Sequence, residues 1–432
     1  MSPDATVFAL ASGAGRAAVA VLRLSGPGTG AALAALAGGV PAPRMATLRA
    51  LRHGGEVLDR ALVLWFPAPR SFTGEDGAEL HLHGGPAVLA AVSGALVALG
   101  LRPAEPGEFT RRAFLHGKLD LTAAEGIADL VDAETEAQRR QALRQAGGAL
   151  ARRLEGWAAA LTALLARQEA FIEFEEEDLP GDLDARVAAE AAALRGEMAT
   201  ALGEAARGEA LREGVSVAIL GAPNAGKSSL LNALAGREAA IVSARAGTTR
   251  DVVEVRLVLG GVPVTLADTA GLRETPDEVE AEGVRRALAR AEAAQLRLLV
   301  LPADAPPDPA VLALAGPDAL LVGSKSDLGP VAAGALPVSA ATGAGLDALR
   351  ERLAREVARR AGGSDTAGLT RPRHRAALAE ALAALDRLPD APLPELRAEA
   401  LREALRALGR ITGRVEVEAV LDRVFGEFCI GK

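Results

Sequence analysis

The stretch Gly221-Ala-Pro-Asn-Ala-Gly-Lys-Ser228 decides the fold of the central part of the chain, because it fits the pattern G-x-x-x-x-G-K-[ST] of a phosphate-binding loop. The apolar run Val215–Leu220 before it predicts a buried strand, and the apolar spacing of residues 229–235 after it predicts a helix. The glycines allow main-chain N–H groups to curl around an anion, and the helix N-terminus adds its dipole. This order predicts a nucleotide site in which Lys227 reaches the outer phosphates and Ser228 binds Mg²⁺.

The composition of the 432-residue chain limits the other possibilities. Half of the residues are hydrophobic, which suffices for the cores of the roughly two to four domains expected at this length. A single cysteine, no signal-peptide pattern and no uncharged apolar run of about 18 residues predict a cytoplasmic protein that does not enter a membrane. The net charge of −8 argues against holding nucleic acid by bulk attraction, so an RNA substrate would need a local basic patch or a partner.

Four further motifs follow the phosphate loop in the order that a GTPase requires. Gly247-Thr-Thr-Arg-Asp251 supplies Thr249, which can close over the γ-phosphate and bind Mg²⁺. An apolar run ends in Asp268-Thr-Ala-Gly271, where the carboxylate can hold Mg²⁺ through water. The segment Gly323-Ser-Lys-Ser-Asp327 resembles the guanine-reading motif Asn-Lys-x-Asp, and Val338-Ser-Ala340 would brace the base from behind. Five motifs in this order predict a GTP site.

Two positions depart from the usual GTPase pattern. Ser324 stands where asparagine is usual, and its single hydroxyl predicts that guanine selectivity survives through Asp327 while affinity falls. Leu272 stands where Ras-like enzymes carry the glutamine that orients the attacking water. The acidic stretch 277–280 could supply that group, or it could simply be negative charge at a helix N-terminus.

Asn224, inside the phosphate loop, offers a substitute for the arginine finger that the sequence does not identify. Its side-chain carbonyl, together with oxygens from residues 243–248, could hold a monovalent cation beside the β- and γ-phosphates. The alternative is that Asn224 only braces the loop.

The segments on either side of the nucleotide domain have different patterns. Residues 1 to about 116 mix strands and helices, which predicts a small α+β domain. Helical spacing from about residue 119 to 211, and again from 371 to 428, predicts one helical domain interrupted by the nucleotide domain. The expected strands are 18–24, 60–66 and 77–83, and the expected helices are 29–36, 86–99, 123–153, 154–171 and 187–210.

Glu79, His81 and His83 alternate along one strand and therefore share one of its faces. A carboxylate and two imidazoles could bind a metal ion there. The alternatives are an ordinary polar face or the lining of a pocket for an organic ligand.

Taken together, these motifs resemble the MnmE (TrmE) family of tRNA-modification GTPases, and the resemblance runs essentially from end to end. In the nucleotide domain it rests on residues 221–229, 247–251 and 268–273. More specific to the family are the flanking motifs Ser71-Phe-Thr-Gly-Glu-Asp76, His83-Gly-Gly-Pro86, Pro106-Gly-Glu-Phe-Thr-Arg-Arg-Ala-Phe-Leu115, Lys118-Leu-Asp-Leu121 and the terminal Phe428-Cys-Ile-Gly-Lys432.

The resemblance implies a multidomain fold of α/β and all-α parts. An N-terminal α+β domain for folate binding and dimerisation is expected at 1–117, and a discontinuous all-α helical domain at 118–212 and 363–432. The inserted Ras-like P-loop GTPase domain, with a mostly parallel sheet and helices on both faces, is expected at 213–362.

The implied activity is K⁺-stimulated hydrolysis of GTP to GDP, coupled to modification at C5 of the wobble uridine of certain tRNAs. The implied partners are a second copy of the chain and the FAD-dependent protein MnmG (GidA), in a heterotetramer that acts on tRNA. The implied one-carbon donor is 5-formyltetrahydrofolate or a related folate.

The resemblance also assigns roles to matching residues. The implied catalytic residues are Lys227, Asn224 and Glu280, of which Glu280 orients water. The implied Mg²⁺ ligands are Ser228 and Thr249. The implied K⁺ ligands are Asn224, Ser243, Arg245 and Thr248. The implied folate residues are Arg23, Glu79, Lys118 and Lys432, and Cys429 has either a chemical role beside the folate or only a packing role. The GTP-binding residues are expected to be Asn224, Ala225, Gly226, Lys227, Ser228, Ser229, Ser243, Ala244, Arg245, Ala246, Gly247, Thr248, Thr249, Asp268, Thr269, Ala270, Gly271, Ser324, Lys325, Ser326, Asp327, Ser339 and Ala340.

A different class of function shares part of this pattern. GTP-dependent switches that act on ribosomal particles also carry the phosphate loop and the Gly-Thr-Thr-Arg-Asp motif. The folate-type motifs within residues 71–121 and the Cys-Ile-Gly-Lys end favour the tRNA enzyme, because a switch would not need them.

Overall fold

A computed structural model describes residues 5–173, 183–236, 253–268, 294–362, 368–415, 421, 424–426, 428 and 431. The chain divides into two compact units. The first comprises Met1–Ala128, Gln145–Ala158 and Leu405–Lys432, and the second comprises Asp129–Arg144 and Ala159–Ala404. Every helix in the described ranges is too short or too polar to span a membrane.

The N-terminal part of the first unit is a six-stranded sheet covered by two helices. Its strands lie in the order β3-β4-β5-β2-β1-β6, and every adjacent pair is antiparallel except β1 and β6. The elements are β1 (Val7–Leu10), β2 (Ala17–Ser25), α1 (Thr29–Ala37), β3 (Thr47–His53), β4 (Glu56–Phe66), β5 (Gly77–Gly84), α2 (Pro86–Ala98) and β6 (Arg102–Pro103). The strands and helices predicted in this region are confirmed, and β4 extends four residues further back than expected.

Period-two alternation explains how this sheet builds its core. Leu22 and Leu24 of β2 and Leu80 and Leu82 of β5 are buried and pack in one apolar cluster with Leu33 of α1. The alternate residues of the same strands point to the opposite face, where polar side chains can gather. That second face carries Arg23 and Glu79, which are direct neighbours on β2 and β5.

The helices that follow are α3 (Glu108–Leu115), α4 (Leu121–Asp132), α5 (Glu136–Ala146), α6 (Ala149–Glu173) and α7 (Leu183–Glu213). The single helix expected at 123–153 is wrong, because the chain breaks there twice. Thr135 and Gln138 form a capping box, in which each side chain accepts a hydrogen bond from the other residue's main-chain N–H at 3.2 Å. Gly148, with φ +74°, lies in the left-handed region and separates α5 from α6.

The second unit contains a six-stranded sheet in the order β12-β11-β10-β7-β9-β8. Among the strands that the structure describes here, β8 and β9 form the only antiparallel pair, which confirms the mostly parallel sheet. The elements are β7 (Val215–Leu220), α8 (Lys227–Gly236), β8 (Val253–Leu259), β9 (Val262–Asp268), β10 (Leu296–Pro302), α9 (Pro309–Leu312), β11 (Ala319–Ser324), β12 (Leu336–Pro337) and α10 (Leu346–Ala361).

Both faces of this sheet are covered, because its central strands are apolar on both sides. Val217 and Ile219 of β7 pack with α8 and α10 in one cluster. Ala218 and Leu220 of the same strand pack with Val311 of the short α9 in another. The arrangement is that of a Ras-like P-loop domain.

Helices return after the sheet as α11 (Pro372–Asp386) and α12 (Pro394–Thr412). The chain thus has helical segments both before and after the parallel sheet. The predicted fold class is therefore confirmed: an N-terminal α+β domain, a discontinuous helical domain and an inserted GTPase domain.

Candidate functional site

The phosphate loop lies between β7 and α8, as predicted, and two of its positions favour glycine, one because of close packing and the other because of its backbone conformation. A Cβ at Gly221 would lie 2.6 Å from the carbonyl oxygen of Val300, and Gly226 has φ +89°. Lys227 is only 8% exposed, and its Nζ donates to the carbonyl oxygens of Gly221 at 2.8 Å and Ala222 at 2.9 Å. The ammonium is therefore held inside the curve of the loop, where it can meet the outer phosphates of a nucleotide.

Asn224 occupies a backbone conformation that few residues tolerate. Its φ is +61°, in the left-handed region, where asparagine is favoured over most other non-glycine residues. Its side chain is exposed, as are those of Ser228 and Ser229 in the first turn of α8. The loop therefore presents an amide and two hydroxyls together with the main-chain N–H groups of the helix N-terminus.

The segment at the end of β11 that resembles the guanine-reading motif contacts the phosphate loop through Ser324. The Oγ of Ser324 donates to the carbonyl oxygen of Ala225 at 2.6 Å, and the side chain is 5% exposed. The hydroxyl thus keeps the link to the phosphate loop that the usual asparagine makes. Lys325 pairs with Asp304 at 2.8 Å, and Asp327 is exposed at the same end of the sheet.

The segment predicted to brace the base lies beside the guanine-reading segment. Ser326 donates its main-chain N–H to the carbonyl oxygen of Val338 at 3.2 Å, and Ser339 is fully buried. The N–H of Thr342 in turn donates to Ser339 Oγ at 3.2 Å. Ala340 follows directly, so the structure brings together the two segments expected to hold the base.

Several predicted site residues lie outside the described residues. They are Ser243, Ala244, Arg245, Ala246, Gly247, Thr248, Thr249, Thr269, Ala270, Gly271, Glu280, Cys429 and Lys432. Asp268 is the last residue of β9, and its main chain pairs with Ile219 of β7 and Val253 of β8. These assignments stay predictions.

The second candidate site is a cavity of about 620 Å³ on the polar face of the N-terminal sheet. Arg23 and Glu79 are direct neighbours on β2 and β5, and Arg23 donates to Glu79 Oε1 through Nε at 3.2 Å and Nη2 at 3.0 Å. The guanidinium carbon of Arg23 lies 5.6 Å from the ring centroid of Phe72 and 5.9 Å from that of Phe109. Paired charges between aromatic rings suit a flat ligand that has both donors and acceptors.

The two histidines of β5, which could have shared a metal ion with Glu79, make separate contacts. His83 is tied to Asp59 by an Nδ1–Oδ1 contact of 2.7 Å, while His81 Nε2 lies 3.5 Å from Glu79 Oε2. Within the part of the chain that is described, no group of three or more potential ligands is arranged to hold a metal ion. Lys118 is exposed, outside the cavity lining, with its Cε close to Gly74.

A buried ion network supports one wall of the cavity. Arg112 donates to Glu75 Oε2 at 3.0 Å and to Glu108 Oε1 at 2.7 Å, and Glu75 accepts from Ser25 at 2.7 Å. Burial raises the pKa of Glu108, but hydrogen bonds from Arg102, the Glu105 main chain and Arg112 outweigh it, so the pKa lies below its usual value. The network fixes the loop that carries Phe72.

Arg44, Phe66 and Arg70 also line the cavity and were not identified from the sequence. The guanidinium of Arg44 lies 5.6 Å from the ring centroid of Phe66 and donates to the carbonyl oxygen of Arg70. No motif marks these residues. Phe72, by contrast, lies in the Ser71–Asp76 stretch on which the resemblance rests.

Comparison with known proteins covers nearly the whole chain. The model of the GTP-binding protein TrmE N-terminus matches residues 6–118, and that of the MnmE helical domain matches residues 121–429. A tRNA modification GTPase MnmE from Gluconacetobacter diazotrophicus is 59% identical over 99% of this chain and 98% of its own length. One from Paramagnetospirillum magneticum is 59% identical over 99% of each chain.

Among solved structures, the G domain of the T. maritima FeoB iron transporter is 26% identical, with a TM-score of 0.26. It covers 33% of this chain and 98% of its own length. The full-length relatives and the two family models carry the assignment: this chain belongs to the MnmE family of tRNA modification GTPases.

Proposed function

We propose that the chain is a K⁺-stimulated GTP hydrolase that, with a FAD-dependent flavoprotein partner and a one-carbon folate, modifies C5 of the wobble uridine of certain tRNAs. The observation that carries the proposal is that one chain holds a phosphate loop and, in its other compact unit, a cavity built around the Arg23–Glu79 pair. The first suits GTP, and the second suits a flat organic molecule with donors and acceptors.

In the nucleotide site, Lys227 holds the outer phosphates while Ser228, with Thr249, is proposed to bind Mg²⁺. Asn224 supplies one K⁺ ligand, and Ser243, Arg245 and Thr248 would supply the others. A bound K⁺ contributes positive charge next to the phosphates, as an arginine finger does. Glu280 is proposed to orient the attacking water.

In the N-terminal cavity, Arg23 and Glu79 are proposed to hold a folate such as 5-formyltetrahydrofolate. Glu79 Oε2 can accept from the N–H groups of the pterin ring, while two hydrogen bonds from Arg23 to Oε1 hold the carboxylate in place. Phe72 and Phe109 flank the site, and Lys118 and Lys432 are proposed to reach the ligand's polar end.

The proposal includes an assembly and a place in the cell. The chain is proposed to form a homodimer through its N-terminal domain and to join the flavoprotein in a cytoplasmic heterotetramer that binds tRNA. The domain limits proposed are 1–117, 118–212 with 363–432, and 213–362. Because the chain carries a net charge of −8, the partner is proposed to supply much of the basic RNA surface.

Asn224 provides the sharpest test of the cation. GTP turnover should be clearly faster in K⁺ than in Na⁺, and Asn224→Gly should remove the difference. Glycine adopts φ +61° without strain, so this variant removes the amide oxygen while leaving the loop able to form. Asn232→Ala, at an exposed asparagine of α8, is the matched control and should keep the K⁺ effect.

If Asn224→Gly keeps the K⁺ effect, then Asn224 only braces the loop. Equal turnover of the natural chain in the two salts would reject the cation altogether.

The folate and the tRNA product are tested separately. Binding of 5-formyltetrahydrofolate, measured by calorimetry, should be lost in Arg23→Met. It should be retained in Arg52→Met, because Arg52 is an exposed arginine of the same sheet.

Nucleosides of tRNA from a deletion strain should lack the C5-modified wobble uridine. Normal tRNA with defective ribosomal particles would instead support a GTP-dependent assembly switch.

A further inference from the structure

The two connections that join the GTPase domain to the helical segments lie side by side in the second unit. The entering chain runs from α7, which ends at Glu213, into β7, and the leaving chain runs from α10 towards α11. A Cβ at Gly208 of α7 would collide with the carbonyl oxygen of Leu369. Leu369 and Thr370 are 2% and 1% exposed. We name this place, comprising residues 129–141, 208–213 and 369–375, the junction.

One carboxylate in the junction binds both connections. Asp129 Oδ1 accepts from Arg212 Nε at 3.0 Å and from Arg371 Nη2 at 2.8 Å. The three side chains are 13%, 22% and 11% exposed, so these charge-assisted bonds are largely shielded from solvent. Arg212 lies three residues before the start of β7, and Arg371 directly precedes α11. Asp129 therefore binds one arginine from the connection that enters the GTPase domain and one from the connection that leaves it.

Two glutamines of α5 fix the entering connection through its main chain. Gln138 Nε2 donates to the carbonyl oxygen of Arg212 at 2.9 Å, while the Gln138 amide oxygen caps the start of α5. Gln141 Nε2 donates to the carbonyl oxygen of Gly208 at 3.2 Å. Arg212 is thus held by its side chain and by its carbonyl, which leaves it little freedom to move independently of α5.

The strands next to the nucleotide motifs reach the same segment. Arg256 of β8 pairs with Glu134, just before α5, at 3.1 Å. β8 follows the Gly247–Asp251 motif in sequence, and β9, paired with β8, ends at Asp268. A movement of these strands would therefore be transmitted to residues 129–141 by the Arg256–Glu134 pair and by the junction.

We propose that Asp129 is a positioning residue that couples GTP hydrolysis to tRNA modification by holding both connections of the GTPase domain to the helical segment. Without this carboxylate, the GTPase domain still binds and hydrolyses GTP, but its movement is no longer passed on to α4 and α5. The inference rests on the proposed function, because it needs a modification reaction that depends on GTP.

The test uses the full chain with its flavoprotein partner, a one-carbon folate and tRNA. Asp129→Asn should leave GDP affinity and GTP turnover within about twofold, while modification per GTP hydrolysed falls on the order of tenfold, in the range of coupling between sites. Asp129→Glu, which restores the charge, should recover most of the coupling. Asp386→Asn is the matched control, because Asp386 also pairs with an arginine of α7, Arg195, but away from the junction.

A second readout separates positioning from general destabilisation. Hydrogen exchange of peptides covering 208–213 and 368–375 should accelerate in Asp129→Asn and remain unchanged in Asp386→Asn, with the exchange of β7 and β10 unaffected. If Asp129→Asn does not fold, Arg371→Gln, which removes one of the two donors, is measured in the same way and should lower the coupling.

Two results would overturn the inference. One is that Asp129→Asn modifies as much tRNA per GTP hydrolysed as the natural chain does. If Asp129→Asn does not fold, the same result in Arg371→Gln counts instead. The other is a loss of modification that merely follows the loss of GTP turnover. If the natural chain itself shows no GTP-dependent modification, the proposed function fails instead, and the two failures are distinguishable.

Discussion

The phosphate loop and the N-terminal cavity hold their functional groups in opposite ways. The phosphate loop is built from consecutive residues, and its main chain and one folded-back lysine form the site. The cavity is built from side chains far apart in sequence, and Arg23 and Glu79 meet only because β2 and β5 pair in one register. The first site depends on local backbone geometry, and the second depends on the stability of the whole sheet and of the buried ions behind it. Single substitutions can separate these two kinds of dependence.

Removing Arg112 should cause the largest loss, because it lowers the free energy of unfolding of the part of the chain that forms the cavity. Arg112→Met leaves Glu75 without its buried cation and Glu108 with only the partly exposed Arg102, and breaking a buried pair in this way costs about 3–5 kcal/mol. The measurement is denaturant unfolding of the full chain, together with folate binding. Nucleotide affinity in the second compact unit should change little under native conditions.

The control for Arg112 is an ion pair of similar geometry on the surface. Arg139 pairs with Glu136 at 2.7 Å, but the arginine side chain is 48% exposed. Arg139→Met should leave unfolding unchanged, since water screens such a pair. Equal losses in the two variants would show that the buried network does not stabilise the cavity.

Removing Lys227 should lower the rate of GTP hydrolysis and leave the fold intact. Lys227→Ala deletes the ammonium held in the loop, and loss of one such charge-stabilising donor lowers kcat by about 100-fold, or about 3 kcal/mol. Steady-state GTP turnover measures this effect, with exposed Arg355→Ala on α10 as control. Folate binding should be unaffected. A loss of folate binding would contradict the independence of the two sites.

The same contrast explains what the sequence could predict. The strand and the helix that flank the phosphate loop agree with the prediction, because each depends on neighbours within a few residues. The break before α5 could also have been found, since Thr135-Glu-Ala-Gln138 is a capping-box sequence.

Arg44 and Phe66 show the limit of such prediction. Their positions in the cavity depend on how β4 pairs with β5 and on how the loop after α1 returns to the sheet. Neither relation leaves a local pattern in the sequence. For the same reason, Asp129 gives no signal along the chain, because its partners Arg212 and Arg371 lie 83 and 242 residues away.

Ser324 tests how far the phosphate loop depends on a contact from outside it. Ser324→Ala leaves the carbonyl oxygen of Ala225 without this donor, which costs about 1–2 kcal/mol and should weaken GDP binding about five- to thirtyfold. Titration with a fluorescent GDP analogue measures the change. Ser324→Asn should bind GDP more tightly than the natural chain if the shorter side chain limits affinity. Unchanged binding in both variants would show that the loop holds its shape alone.

The smallest effect is expected from a carboxylate in the GTPase domain, and it depends on pH. Hydrogen bonds from Arg360 and Arg359, both at 2.9 Å, outweigh burial and hold the pKa of Glu356 below its usual value of 4.5. The stability from a depressed pKa is present above the unfolded-state value and is lost as the pH falls through the folded-state value. Glu356→Gln should therefore cost less than about 1 kcal/mol at pH 7, and the difference from the natural chain should shrink below pH 4.5. Denaturant unfolding at pH 7 and pH 4 measures both values, and a difference that grows towards acid would refute the assigned sign.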